Sequence, residues 1–278
     1  MAANSLPRRI VKKVLAPLLN EGAYSVLQAV AMGWDIRRGS WFEPELELLP
    51  YALRGGETAI DVGANFGLYA YHLSKVVGPT GKVICFEPIP FTARTFRLVQ
   101  RGLGFRDNVR LINKGASDKN GRTQFTVPVM GTGAISAGLV HMGRNDERPG
   151  KEKRANFATK QVECEVVAID ECLPDVRDVA LVKCDIEGAD LFAMRGMRKI
   201  LETHKPTVII EITPWYLEGF DLTVEDITSF FGSLGYECYR YADKKLCPVV
   251  AADIVEDNWI FLHPLRRERF QALLPSQA

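Results

Sequence analysis

Between Glu57 and Pro88 an apolar run, Thr58-Ala-Ile60, feeds into Asp61-Val-Gly-Ala-Asn-Phe-Gly67. About twenty residues later a second apolar run, Lys82 to Phe86, ends on Glu87. A β-rich segment that passes through a glycine turn into a helix opens a nucleotide-binding βαβ unit. The acid closing the second strand stands where a carboxylate can hold the two hydroxyls of a ribose. Gly63 and Gly67 read as points where backbone comes close to a ligand that any side chain would obstruct. These features commit the chain to a parallel α/β sheet with its ligand at the carboxyl ends of the strands.

The turn departs from the dinucleotide fingerprint G-x-G-x-x-G, which lays bare backbone against a pyrophosphate. The corresponding places after Gly63 hold Asn65 and Leu68, and an acid, Asp61, stands at the strand end. A carboxylate and an amide suit a ligand carrying an ammonium, a carboxylate and a sulfonium better than one carrying phosphates. The expected cofactor is S-adenosylmethionine. An NAD-linked oxidoreductase is the competing enzyme class, disfavoured because the second and third fingerprint glycines are missing. A glycine turn in an unrelated α/β protein is the bland reading.

At 278 residues, 47% hydrophobic and 25% charged, the chain is long enough for one elaborated α/β domain with a full core. A formal net charge of +1 gives no case for nucleic acid. The cysteines form no C-x-x-C pair and fit reduced thiols in a cytoplasmic protein. The histidines are scattered, with no Cys/His cluster, so no metal is expected. Asn20, Glu21 and Asp35 interrupt the N-terminal apolar stretches, which leaves neither a spanning helix nor a cleavable signal peptide.

Residues 6 to 33 read as helix, with Ile10, Val11, Val14, Leu15, Leu18 and Leu19 at helical spacing and Arg8, Arg9, Lys12 and Lys13 opposite. Such a helix packs on the catalytic domain or on a second subunit. A sharper reading rests residues 8–19 on an anionic membrane surface. Glu43 to Leu53 is apolar-periodic and stops at Arg54-Gly55-Gly56, so the expected division is an N-terminal helical extension, 1–53, and a ligand-binding domain, 54–278. Strands at 58–62, 82–86 and 109–116 then alternate with helices at 66–77 and 91–103, as a doubly wound sheet requires. The pattern breaks at 117–171, where runs at 123–127 and 162–169 flank a Gly-rich, charge-rich loop, 130–160, expected to be a mobile lid. Alternation resumes with strands at 179–185 and 207–212, helices at 189–203 and 224–235, and two last strands, 237–241 and 258–263.

The fourth parallel strand closes on Val182-Lys-Cys-Asp-Ile-Glu-Gly188. Strand one and this strand should flank the point where strand order reverses. Two acids there, Asp185 and Glu187, are costly unless they meet a cation, a hydroxyl proton or a metal. One is expected to face the cationic end of the cofactor and the other to orient or deprotonate an acceptor. The competing reading makes either a cap for the following helix. Glu211, ending the next strand, is a third acid, and an internal salt bridge is its bland alternative.

Asp61-Val-Gly-Ala-Asn-Phe-Gly67, Phe86-Glu87-Pro88, Lys183-Cys-Asp-Ile-Glu-Gly188 and Lys205-Pro-Thr-Val-Ile-Ile-Glu211, in this order, resemble the FkbM family of S-adenosylmethionine-dependent O-methyltransferases. Trp41-Phe-Glu43-Pro-Glu45 looks like that family's opening motif and Asp257-Asn258 like its end, so the resemblance spans roughly 40 to 263. It implies the class I methyltransferase fold, Rossmann-like and mostly parallel, with seven strands, the last antiparallel. It implies cofactor contacts at Glu43, Asp61, Gly63, Ala64, Asn65, Phe66 and Gly67, and at Glu87, Pro88, Ser117, Asp118 and Asp185. It also implies methyl transfer to a hydroxyl of a small molecule, sugar, glycolipid or polyketide. The acceptor is thus a small, sugar or lipid-linked hydroxyl compound; a homo-oligomer is one reading of the N-terminal helix.

Methyl transfer from a sulfonium is an in-line displacement, so positioning and desolvation supply much of the rate. An alcohol stays a poor nucleophile while protonated, and a carboxylate or histidine beside its proton helps. Asp185, Glu187 and Glu211 are the candidate catalytic groups, with His141 in the loop a weaker one. Paired acids hold Mg²⁺ in some other O-methyltransferases; none is expected here. A fold that has lost its chemistry and only binds the cofactor is the non-enzymatic alternative.

Overall fold

The computed structural model describes residues 20–105, 107–129, 141–142, 158–255 and 257–275. Its main sheet takes β1 (Thr58–Val62), β2 (Lys82–Phe86), β3 (Val109–Ile112), β8 (Val179–Cys184), β9 (Thr207–Ile212), β10 (Glu237–Ala242), β11 (Lys245–Pro248) and β12 (Asp257–Leu262). Their spatial order is β11-β10-β12-β9-β8-β1-β2-β3. Every residue of β1 and β8, and all of β9 except Glu211, is buried. Strands covered on both faces read as unbroken apolar runs, which is how the sequence marks them. The order reverses between β1 and β8, as expected, and these two pair in parallel.

β12 runs antiparallel to both β9 and β10. The sheet has eight strands because β11 folds back on β10, which adds one to the expected seven. The connecting pair, Asp243 and Lys244, both adopt positive φ (49° and 60°), as a two-residue hairpin turn requires. Asp-Lys lacks the usual glycine of such turns, so this hairpin carried no sequence signal.

Nine helices pack around it: α1 (Glu21–Arg38), α2 (Leu49–Ala52), α3 (Leu68–Val77), α4 (Pro90–Leu103), α5 (Ile169–Cys172), α6 (Asp190–Gly196), α7 (Arg198–His204), α8 (Pro214–Glu218) and α9 (Val224–Ser233) among the described residues. The Asn20 side chain accepts from the Ala23 N–H at 2.9 Å and caps α1, which runs to Arg38 before Gly39 turns left-handed. The expected helix at 6–33 is therefore corrected at its C-terminal end, while residues 6–19 lie outside the described residues. Residues 20–53 pack on the sheet. Ala29, Ile36, Leu46, Leu48, Leu49 and Ala52 share one core with Ala59, Val83 and Leu181 of the sheet.

The expected helix at 189–203 breaks at Met197 into α6 and α7. Both carboxylate oxygens of Asp170 accept N–H groups at the start of α7, from Lys199 (2.8 Å) and Ile200 (3.0 Å). A side chain from another element thus caps a new helix start, which periodicity does not reveal. The expected strand at 109–116 also divides, and its second half, β4 (Gly115–Ala116), joins a separate sheet with order β4-β7-β5-β6. In it β5 (Gly121–Val129) and β7 (Ala158–Val167) pair antiparallel over their lengths, and β6 is His141–Met142. Phe125, Val127, Cys164 and Val166 of this sheet cluster with Tyr24, Phe66, Ile89 and Phe91. The second sheet therefore backs onto the glycine turn and the segment after β2. Of the lid expected over 130–160, only 141–142 and 158–160 are described; the rest, and the His141 side chain, lie outside the described residues.

Candidate active site

Alternation along the buried strands sets the site. On one face, apolar Ala59, Leu181, Ile209 and Ile260 lie in the core. Two residues nearer the carboxyl edge, the same face carries Asp61, Lys183, Glu211 and Asn258. Asp61 and Lys183 are register partners, as are Glu211 and Asn258. A polar row thus caps an apolar floor.

Lys183 is the centre of this row, and the sequence reading assigned it no role. It is buried, and its ammonium donates to Asn258 Oδ1 at 2.8 Å, lies 3.8 Å from Asp185 Oδ2 and sits over the Tyr69 ring at 5.2 Å. Burial works against its charge, but Asp185, Glu43 and Glu211 together hold it above the ordinary lysine range. Glu43 and Glu45, from the segment before β1, complete the surround. Asn258 Nδ2 donates to Glu45 Oε2 at 3.4 Å. Burial raises both carboxyls, and Lys183 pulls each back down. Asp61 is 1% exposed, and its Oδ2 has no hydrogen-bond partner among the described residues. Burial pushes its carboxyl up to about 7 against the pull of Lys183, with Asp185 and Glu43 adding to the rise.

The turn after β1 is folded onto β2 by its own backbone. Gly63 and Ala64 both donate to Phe86 O, and Gly67 donates to Ala64 O. Glu87 is buried; its Oε1 accepts from Ile89 N–H at 2.9 Å and its Oε2 from Asn65 N–H at 3.1 Å. Burial lifts its carboxyl to about 7 against those two hydrogen bonds. Asn65 holds a left-handed φ of 47°, which asparagine tolerates better than most residues, and its Oδ1 is buried without a partner among the described residues. Phe66 and Ala64 are buried, Phe66 in the cluster with Ile89 and Phe91 beyond Pro88.

Packing also requires both glycines. A Cβ on Gly63 would stand 2.0 Å from the Asp185 carbonyl oxygen, and one on Gly67 would stand 3.0 Å from the Phe96 ring. The first turn and the loop after β8 are thus interlocked, and Asp185 N–H donates to Val62 O at 3.0 Å.

That second loop is built by Asp190, another residue without a role in the sequence reading. Its Oδ1 accepts from Ile186 N–H (3.2 Å) and its Oδ2 from Gly188 N–H (3.0 Å). Glu187 and Gly188 are both left-handed, at φ 57° and 95°. Since Asp190 holds the loop and Ala189 starts α6 without a side-chain cap, neither Asp185 nor Glu187 is the helix cap considered above. Asp185 and Glu187 are part-exposed. Burial, followed by the hydrogen bond and charge of Asp185, pushes the Glu211 carboxyl well up. Glu211 and Asp185 thus meet at the ends of the adjacent strands β9 and β8.

Ser117 and Asp118 lie past β4. Ser117 N–H donates to Val167 O at 2.9 Å and its hydroxyl to Asp118 Oδ1 at 3.2 Å. Asn113, just upstream, donates through its side chain to Glu87 O (2.7 Å) and Pro88 O (3.0 Å), tying this stretch to the end of β2. A cleft of about 860 Å³ opens at the opposite, amino edge of the sheet, lined by Thr58, Lys82, Arg110 and Asp178, and includes none of the candidate residues. No group of three metal-ligating side chains forms among the described residues, and no described helix is long and apolar enough to cross a membrane.

Protein-L-isoaspartate O-methyltransferase 2 of Archaeoglobus fulgidus is 40% identical over 60 residues, which are 22% of this chain and 27% of that one. This chain thus spans about a quarter of the curated relative it matches. Among solved structures, methyltransferase FkbM from Methylobacillus flagellatus aligns at 20% identity and a TM-score of 0.47, covering 76% of this chain and 48% of that one. Aeropyrum pernix fibrillarin with natively bound S-adenosyl-L-methionine aligns at 15% identity and a TM-score of 0.41, covering 76% and 67%. The family described as Methyltransferase FkbM domain matches residues 61–238, from the first acid of the polar row into β10 and well over half of the chain. The chain belongs to the FkbM methyltransferase family.

Proposed function

We propose that this methyltransferase, whose cofactor is S-adenosylmethionine, methylates a hydroxyl of a small, sugar or lipid-linked acceptor. The residues at the carboxyl edge fit the cofactor. Asp61 offers a buried carboxylate oxygen with no partner among the described residues, which suits an ammonium or sulfonium. The unpartnered Asn65 Oδ1 is a second acceptor on the same turn. Among the described residues each Glu87 oxygen accepts one backbone N–H, which leaves lone pairs for ribose hydroxyls. When bound, the sulfonium supplies an already activated methyl group.

The chain's own part is then to place the acceptor oxygen in line and to receive its proton. The observation that carries this reading is the cluster of Asp185, Glu187 and Glu211 at the carboxyl edge, with Lys183 beside Asp185. Asp185, 3.8 Å from the Lys183 ammonium, faces the cationic end of the cofactor. Glu187, part-exposed on a left-handed turn held by Asp190, takes the acceptor's proton. Interlocking of the two turns at Gly63 and Asp185 fixes their separation, which an in-line displacement needs.

A radiolabelled methyl-transfer assay over sugar, phenol and lipid-linked hydroxyl acceptors tests the proposal. Methylated product that is alkali-stable, as an ether is, supports it. An alkali-labile methyl ester, an N-methylated product, or cofactor binding without transfer to any acceptor overturns it.

A further inference from the structure

We propose that α1 and α4 together form a docking face for an anionic lipid bilayer. Four of the seven large hydrophobic side chains that stand exposed among the described residues, Val26 (51%), Val30 (68%), Trp34 (56%) and Phe42 (51%), lie in α1 or just beyond it. The first three recur every four residues, so they form one stripe along the helix. The opposite side of α1 is committed to the core through Tyr24, Ala29 and Ile36. An outward apolar stripe ending in a tryptophan is the surface of an interfacial helix.

Charge identifies the partner. Arg37 and Arg38 end α1, and the Arg38 guanidinium stacks 4.2 Å over the Trp34 ring. α4 runs alongside: Tyr24 stacks on Phe91, and the Arg94 guanidinium reaches to 3.8 Å from where a Gly22 side chain would begin. On α4, Arg94, Arg97 and Arg101 are exposed, recur at helical spacing, and meet no acid in that helix. Five arginines therefore flank the stripe, while the only exposed acid of α1 is Glu21, because Asp35 is buried and bonded to Ser40. The whole chain has a formal net charge of +1, so this concentration is local. Upstream the sequence continues with the same sign at Arg8, Arg9, Lys12 and Lys13. Apolar side chains with an arginine border match acyl chains below a layer of phosphates; a second copy of the chain would bring five like charges against these five.

The face also lies close to the chemistry. Tyr24 on the inner side of α1 clusters with Phe66 of the cofactor turn and with Ile89 and Phe91 beyond Glu87. A docked enzyme would hold the carboxyl edge of its sheet near the bilayer.

The test is sedimentation of the full chain with vesicles of phosphatidylcholine, alone or mixed with phosphatidylglycerol, together with acrylamide quenching of Trp34 read against Trp34→Phe. Binding to the mixed vesicles only, weakened by salt, with Trp34 shielded only when vesicles are present, is the expected result. Replacing Arg94, Arg97 and Arg101 by Gln should weaken binding about a hundredfold, with an unchanged thermal midpoint. No binding to mixed vesicles, or equal binding to neutral ones, overturns the proposal. So does Trp34 that is already shielded without vesicles, since a second copy or residues 1–19 would then cover the face.

Discussion

Asp61 on β1 and Lys183 on β8 are register partners on adjacent parallel strands, so their side chains share one face of the sheet at its carboxyl end. The lysine is the buried counter-charge for acids from four separate segments: Glu43 and Glu45, Asp61, Asp185, and Glu211. Lys183→Met keeps much of the volume and removes the charge. Leaving buried carboxylates without their cation costs about 3–5 kcal/mol, so the thermal midpoint should fall. Lys183→Arg, which restores the charge, should recover part of it. A Lys183→Met chain as stable as the parent would show that the lysine holds nothing together.

Stability should decline with rising pH in the absence of ligand. Burial holds the carboxyls of Asp61 and Glu87 up to about 7 and that of Asp190 up to about 6. A carboxyl whose folded pKa lies above its unfolded value binds its proton more tightly when folded. Raising the pH from about 4 through about 7 then removes stability. His72 and His263, lowered by burial, oppose this only below about 6.5. The midpoint of the ligand-free chain should be higher near pH 5 than near pH 8, and a midpoint that rises across this range contradicts the burial argument.

Glu87 carries structure as well as ligand. It accepts the N–H groups of Asn65 and Ile89, so Glu87→Ala strands two donors, of which the buried Ile89 N–H costs about 1–3 kcal/mol. The variant should lose stability and also bind S-adenosylmethionine roughly tenfold to a hundredfold more weakly. Calorimetry below the lowered midpoint separates the two effects. Undiminished affinity in the folded variant would remove the ribose assignment.

Glu187 separates catalysis from folding. Its φ of 57° suits glycine, so Glu187→Gly trades about 1–3 kcal/mol of backbone strain against about 1 kcal/mol of chain entropy. The midpoint should hold or rise, while turnover falls about a hundredfold to ten-thousandfold if this carboxylate takes the acceptor's proton. Glu187→Gln should lose turnover similarly. Parent-like turnover in both variants would pass the role to Asp185.

The strands, the two glycine turns and the acids Asp61, Glu87, Asp185 and Glu211 were legible in the sequence because buried parallel strands are continuous apolar runs that end abruptly in polar residues. Lys183 stood inside a quoted motif but looked like an ordinary strand residue; only the register with Asp61 and the reach to Asn258 expose its role. Asp190 was hidden for a similar reason, since its bonds run back to Ile186 and Gly188 rather than forward into its helix. Gly63 has a packing role that no local pattern shows: its lack of a side chain admits the Asp185 carbonyl, a contact between segments more than a hundred residues apart. The hairpin at Asp243-Lys244 and the helix break at Met197 depend on a turn without glycine and a cap from Asp170. Neither leaves a local pattern.

The central claim is that Asp61 is kept as a buried acid for a cationic ligand at a cost to the fold. Asp61→Asn measures it directly, by thermal midpoint near pH 8 and by titration calorimetry with S-adenosylmethionine. An amide has no charge to bury, so the midpoint should rise. Loss of the carboxylate should weaken cofactor binding by roughly tenfold or more, because hydrogen bonds to charged groups are worth about 1.5–3 kcal/mol. A stabilised variant that binds weakly is the predicted result; parent-like affinity would contradict the account.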